Sequence, residues 1–230
     1  MLISSPVIAA GSGSLAGLTM SHNRGGMYLR ARAVPTNPNT VLQQVVRGHL
    51  SDLVTLWGST LTAAQRNAWT TYASNTPLTN ALGASFFATG QQMYLRSNIG
   101  RLSAGLVRAD NAPTIFDLGG YTNPLVGTIS AAGPTAGILF TATDEWATEA
   151  GSSMLIYLGR PQNVGVNYFK GPYQLAGRID GATPTAPTSP ATITSPFALA
   201  VGQRQFVRAV VTRADGRLSA DFRAFGVVTT

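Results

Sequence analysis

The sequence predicts an α+β fold: an N-terminal β-hairpin and three short helices, followed by a C-terminal antiparallel β-sandwich. Three observations predict it. Residues 18–21 and 27–33 are strand-like runs on either side of Asn23-Arg24-Gly25-Gly26, and Asn and Gly tolerate the positive φ of a hairpin turn. Three T-x-x-Q segments pair Thr40 with Gln43, Thr62 with Gln65 and Thr89 with Gln92. From about residue 124 onward, short apolar–polar alternations recur between turn clusters. The expected domains are a flexible arm over 1–13, a hairpin and helical docking region over 14–110, and the sandwich over 120–230.

The arm ends in the first three residues of Gly11-Ser12-Gly13-Ser14 and holds little that could form a core. In the hairpin, a period of two puts Tyr28, Arg30 and Arg32 on one face and Met27, Leu29, Ala31 and Ala33 on the other. Pro35 and Pro38 then break regular structure. Each T-x-x-Q is a capping box: the threonine hydroxyl accepts from an orphan amide of the first turn, and the glutamine reaches back to the cap. The first helix is expected over 40–57, with an apolar stripe of Leu42, Val45, Val46, Leu50, Leu53, Val54 and Trp57. The second turns Ala68, Trp69, Tyr72 and Ala73 inward. The third carries Met93, Tyr94, Ile99 and Leu102, with Gly100 costing its end about 1 kcal/mol against alanine. Strands are expected at 126–130, 136–143, 153–160, 167–169, 174–178, 197–201, 205–212 and 217–228. Residues 181–196, rich in Pro and Thr, are expected to be a loop.

Composition narrows the function. Apolar residues are 44% of the 230-residue chain, which is ordinary, but charged residues are only 11% against the usual ~25%. Few charges suit a surface that neighbours cover. The net charge of +7 is confined to residues 1–108, which hold eight arginines and the single acid Asp52, while residues 109–230 are neutral. Arginine makes planar, bidentate contacts with carboxylates, phosphates and carbonyls, so an anionic or carbonyl-rich partner is expected at Arg24, Tyr28, Arg30 and Arg32. A protein partner is favoured over nucleic acid, because the face lacks lysine and no nucleic-acid module is recognisable.

Catalytic and cofactor chemistry finds little footing. With no cysteine, disulfides, thiol catalysis and Cys-ligated metals are excluded. P-loop, zinc-protease and nucleophile-elbow motifs are missing from the sequence. No window reaches the ~18 apolar residues of a membrane span, and the N-terminal apolar patch, without a preceding Lys or Arg, is not expected to be a secretory signal. His22 sits at the hairpin turn, and His49 could hydrogen-bond Asp52 across one helical turn. Asp144, Glu145 and Glu149 form an acidic cluster that could hold a calcium ion or serve glycoside hydrolysis, but a solvated loop is the favoured reading. No catalytic residue, metal or cofactor is expected.

The run from Gly13 to Gln44, with LTAAQRNAW and TGQQMYLRSN further on, resembles a poorly characterised family encoded by tailed bacteriophages and related genomic islands. The matching positions are Ser21, Asn23, Arg24, Gly26, Tyr28, Arg30, Asn37, Pro38, Thr40, Gln43, Trp57, Leu61, Thr62, Gln65, Arg66 and Trp69. The spacing from Trp57 to Leu61 is one residue longer than in the tightest form of the pattern. The likeness covers roughly residues 12–100. The C-terminal part is similar in a general way to fibronectin-III and immunoglobulin-like sandwiches. The resemblance implies a virion structural protein present in many copies, with other capsid or tail proteins as partners. A capsid decoration or cement protein is the first expectation, and a tail or head–tail junction component the second. A module binding host glycans or receptors and a nucleic-acid-binding protein are the alternatives.

Overall fold

In the computed structural model, the described residues are 12–23, 26–34, 36–79, 85–168 and 171–230. They divide into two compact units, one ending at Val41 and one beginning at Leu42.

The first unit is a small antiparallel sheet of β1 (Gly13–Leu15), β2 (Leu18–Asn23) and β3 (Gly26–Ala31), in that order. The expected hairpin is present, with Ser21 opposite Tyr28 and Thr19 opposite Arg30. Gly13–Leu15, of which only Gly13 falls in the expected arm, is a third strand paired with β2.

The second unit holds the helices α1 (Val41–Ser59), α2 (Ala63–Asn75) and α3 (Gly90–Ser103). It also holds a two-residue ribbon, β4 (Leu78–Thr79) with β5 (Ser85–Phe86), and seven further strands. Those strands are β6 (Leu125–Ser130), β7 (Thr135–Leu139), β8 (Ser153–Gly159), β9 (Tyr173–Asp180), β10 (Ala191–Thr194), β11 (Arg204–Thr212) and β12 (Phe222–Thr229). Two of the capping boxes close as expected. Gln65 N–H donates to Thr62 Oγ1 at 3.2 Å and Thr62 N–H to Gln65 Oε1 at 2.9 Å. Gln92 N–H donates to Thr89 Oγ1 at 3.3 Å and Thr89 N–H to Gln92 Oε1 at 3.0 Å. α1 begins directly after Thr40.

The α+β class holds, but the antiparallel sandwich is corrected. The seven strands form one continuous order, β10-β7-β6-β12-β11-β8-β9, and curl nearly into a barrel. The sheet is mixed, because β12 pairs parallel to β6 through Val228–Ile129 and Thr229–Ser130. A parallel neighbour requires a long crossover, and here the whole of β7 to β11 lies between the two strands. Within residues 181–196, expected to be loop throughout, Ala191–Thr194 is the edge strand β10. Residues 197–201, expected to be a strand, are irregular, and so are 167–168; Phe169, the last residue of that expected strand, lies outside the described residues.

Two apolar clusters hold the second unit. Inside the curled sheet, Met154, Ile156 and Leu158 of β8 meet Val207, Ala209 and Val211 of β11, with Ile129, Ile138, Trp146 and Val228. Gly226 of β12 faces this interior, where a Cβ would come within 2.7 Å of Ile129 Cδ1. The helical cluster is Leu53, Leu61, Trp69, Tyr72, Ala73, Met93 and Tyr94. Ala68, expected inward, is exposed. α3 packs on the outer face of the sheet: a Cβ on Gly100 would lie 3.2 Å from Leu155 Cδ1. The glycine that weakens the helix end is thus what allows helix and strand to approach. α3 therefore packs with the sheet inside the second unit.

Candidate docking surfaces

The hairpin is built by its strand period. Tyr28 is half-buried and Arg30 exposed, and Arg32, one residue past β3, is also exposed. Arg32 is anchored by its backbone N–H, which donates to Gly17 O at 2.8 Å. Leu15 and Leu18 are also exposed, at 84% and 51%. Arg24, the fourth proposed docking residue, lies outside the described residues, as do the side chains of His22 and Met27.

The other arginines of the basic stretch do not form a single outward field. Arg66 donates to the carbonyls of Trp57 and Leu61 at 3.2 and 2.7 Å, closing the end of α1. Arg108 pairs with Asp110. Burial pulls the pKa of Arg96 below its ordinary value.

Arg101 is 3% exposed and joins the helices to the sheet. Its Nε donates to Val107 O at 2.9 Å. Its Nη1 donates to Thr212 Oγ1 at 3.1 Å and to Arg213 O at 2.6 Å. Burial lowers its pKa as well, and no carboxylate touches it, so carbonyl dipoles carry the charge. Beside it, Asn98 Nδ2 donates to Tyr94 O and Ala109 O at 3.1 and 3.0 Å, and Asn98 Oδ1 accepts from Ala109 N–H at 2.8 Å. Trp69 Nε1 donates to Asp110 O at 2.9 Å. This seam escaped the sequence reading. Its signal was present: Tyr94, Asn98 and Arg101 recur at four- and three-residue steps on the apolar face of a helix.

The acidic cluster is occupied internally. Asp144 accepts from Thr122 N–H at 2.9 Å and from the Thr122 hydroxyl at 3.1 Å. Arg213 pairs with Glu149 and, at 3.0 Å, with Glu145, and donates to Leu118 O at 2.7 Å. Burial works against the Arg213 charge, but Glu149 and Glu145 outweigh it and its pKa rises. Arg213 in turn holds Glu145 below the usual carboxylate range. Among the described residues, no group of three His, Cys, Asp or Glu side chains could hold a metal ion. Nδ1 of His49 is buried without a hydrogen-bond partner, so the expected bond to Asp52 is not made at that nitrogen.

Two surfaces remain. A shallow groove of about 420 Å³ on the sheet is lined by Gly127, Thr128, Ser130, Thr135, Thr192 and their neighbours. It offers hydroxyls but no carboxylate or aromatic ring with which to grip a sugar. The other is α1. Of its apolar stripe, Leu53 alone is fully buried, while Leu42, Val45, Val46, Leu50 and Val54 stay 43–57% exposed. The apolar stripe read from the sequence is largely open. No helix of the described residues is long and apolar enough to cross a membrane.

No protein-family model matches the chain, and no curated protein or solved structure matches it.

Proposed function

We propose that this chain is a non-enzymatic virion structural protein. It docks on a tailed-phage particle through its hairpin, with the curled sheet projecting, most simply as a capsid decoration or cement subunit. One observation carries the reading: a three-stranded sheet of short strands keeps Arg30, Arg32, Leu15 and Leu18 exposed. A sheet of so few short strands needs a buried apolar face for stability of its own. Burying it against a neighbour would supply that face, and the guanidinium groups would reach carbonyls or acids of the same neighbour. The phage-family resemblance over residues 12–100 points the same way, and the low charge content suits a surface that other subunits cover.

The test is incorporation of an Arg30→Glu, Arg32→Glu double variant into purified particles, counted by mass spectrometry. Incorporation should fall about tenfold or more, while thermal stability stays within about 0.5 kcal/mol of the parent because both residues are exposed. Normal incorporation refutes the reading. In the parent particle, hundreds of copies fit a capsid coat, and tens fit a tail or junction ring.

A further inference from the structure

This inference rests on the assembly reading and names a second contact for it. We propose that α1 is a self-association helix, in which the row Leu42, Val46, Leu50 and Val54 packs antiparallel on the same row of a second copy of the chain.

α1 has two apolar faces. Leu53, with half-buried Trp57, turns into the helical core. Leu42, Val46, Leu50 and Val54, spaced four residues apart, form a separate ridge that is 57%, 44%, 43% and 44% exposed. Ridges of this spacing interdigitate in the commonest class of helix crossing.

The exposed part of α1 is poorly equipped to stand alone. None of its first twelve residues, 41–52, is buried. They include Val41, Val45, Val46 and Gly48, all weak helix formers. The helix has no acid in its first turn and no base in its last. Segments of this length are marginal as helices in water, and most helical stability comes from packing an apolar face.

The ridge itself identifies the occupant. It is uncharged, since Arg47 and Asp52 lie off the row, so two copies each bearing +7 meet there without repulsion. Its order is Leu-Val-Leu-Val. Reversed against itself about a two-fold axis level with Gly48, it sets Leu42 against Val54 and Val46 against Leu50. Every layer then pairs a large side chain with a smaller one, as interdigitating cores require, and the patch is self-complementary as an isologous contact must be. Parallel pairing would stack Leu on Leu and Val on Val. The ridge is smaller than the roughly 800 Å² per partner of a standard interface. Free chains should therefore pair only at micromolar concentrations or above, and hold firmly when many copies are tethered on one particle.

The chain has no cysteine, so introduced thiols report on pairing cleanly. An equimolar mixture of V46C and L50C chains, mildly oxidised, should give the mixed disulfide dimer in excess of both homodimers, and L42C with V54C should do the same. In this arrangement two copies of position 54 lie about 18 Å apart along the axis, beyond disulfide reach. Sedimentation of the parent should show concentration-dependent association, which L50E weakens about tenfold or more. An excess of homodimers, or a parent monomeric up to several hundred micromolar, overturns the proposal. Arg30→Glu, Arg32→Glu chains should still pair through α1, so a failure at the hairpin and a failure at α1 are separately visible.

Discussion

Arg101 and Arg30 belong to the same basic stretch of sequence, yet they have opposite fates. Arg101 is 3% exposed and ties α3 to the sheet through carbonyls, whereas Arg30 stands on an exposed hairpin face. The positional charge count that made residues 1–108 look like one docking surface merged two different uses of arginine. One use is internal: a guanidinium can satisfy several carbonyls at once, which suits a seam between a helix and a strand end. The other is outward. Neighbours decide between them. Arg101 lies on the stripe shared with Tyr94 and Asn98, while Arg30 stands exposed on a strand of the hairpin.

The contrast can be tested on the seam side, beginning with the largest effect. Arg101→Ala should cost about 3 kcal/mol, because the carbonyls of Val107 and Arg213 and the Thr212 hydroxyl lose their donor in a buried place. Calorimetry should show a melting temperature roughly 6–12 °C lower for a chain of this size. If the loss is under about 0.5 kcal/mol, the seam is no different from the hairpin.

A smaller effect should appear with acid. Glu145 has a depressed pKa in the folded chain, chiefly because of Arg213. Its contribution is therefore complete above the ordinary value of 4.5 and is lost as pH falls through the lower, folded value. Thermal melts between pH 6 and pH 3 should show the parent losing more stability than a Glu145→Gln chain, which lacks the group that titrates. The difference should be modest, since the Glu145 side chain is 57% exposed.

The smallest expected effect is at a cap. Thr62→Ala removes the acceptor for Gln65 N–H and should cost about 1 kcal/mol, visible as a slight shift in chemical denaturation. The helix signals were legible for this reason: a capping box is local, and α2 and α3 start where their threonines say. α1 was legible as a helix but not as an exposed one, because periodicity reports an apolar face without saying what covers it. The strands carried by alternation, β8 and β11 above all, were found nearly to the residue. β10 was hidden because four residues between prolines show no period. The curling into a single mixed sheet was also out of reach, since it depends on β12 meeting β6 across about a hundred residues. At the candidate site, the exposure of Arg30 and Arg32 does not follow strand parity, since Ala31 and Ala33 of the opposite face are exposed as well. The Arg101 seam was not legible either, because a positional count of charge does not register burial.

The place of β12 constrains the order in which the second unit can be built. It lies in the middle of the sheet, between β6 and β11, yet it follows both in the chain. Without it, β10-β7-β6 and β11-β8-β9 are two half-sheets, each with an open edge where β12 would pair. Loss of β12 would therefore split the sheet at its centre rather than trim an edge.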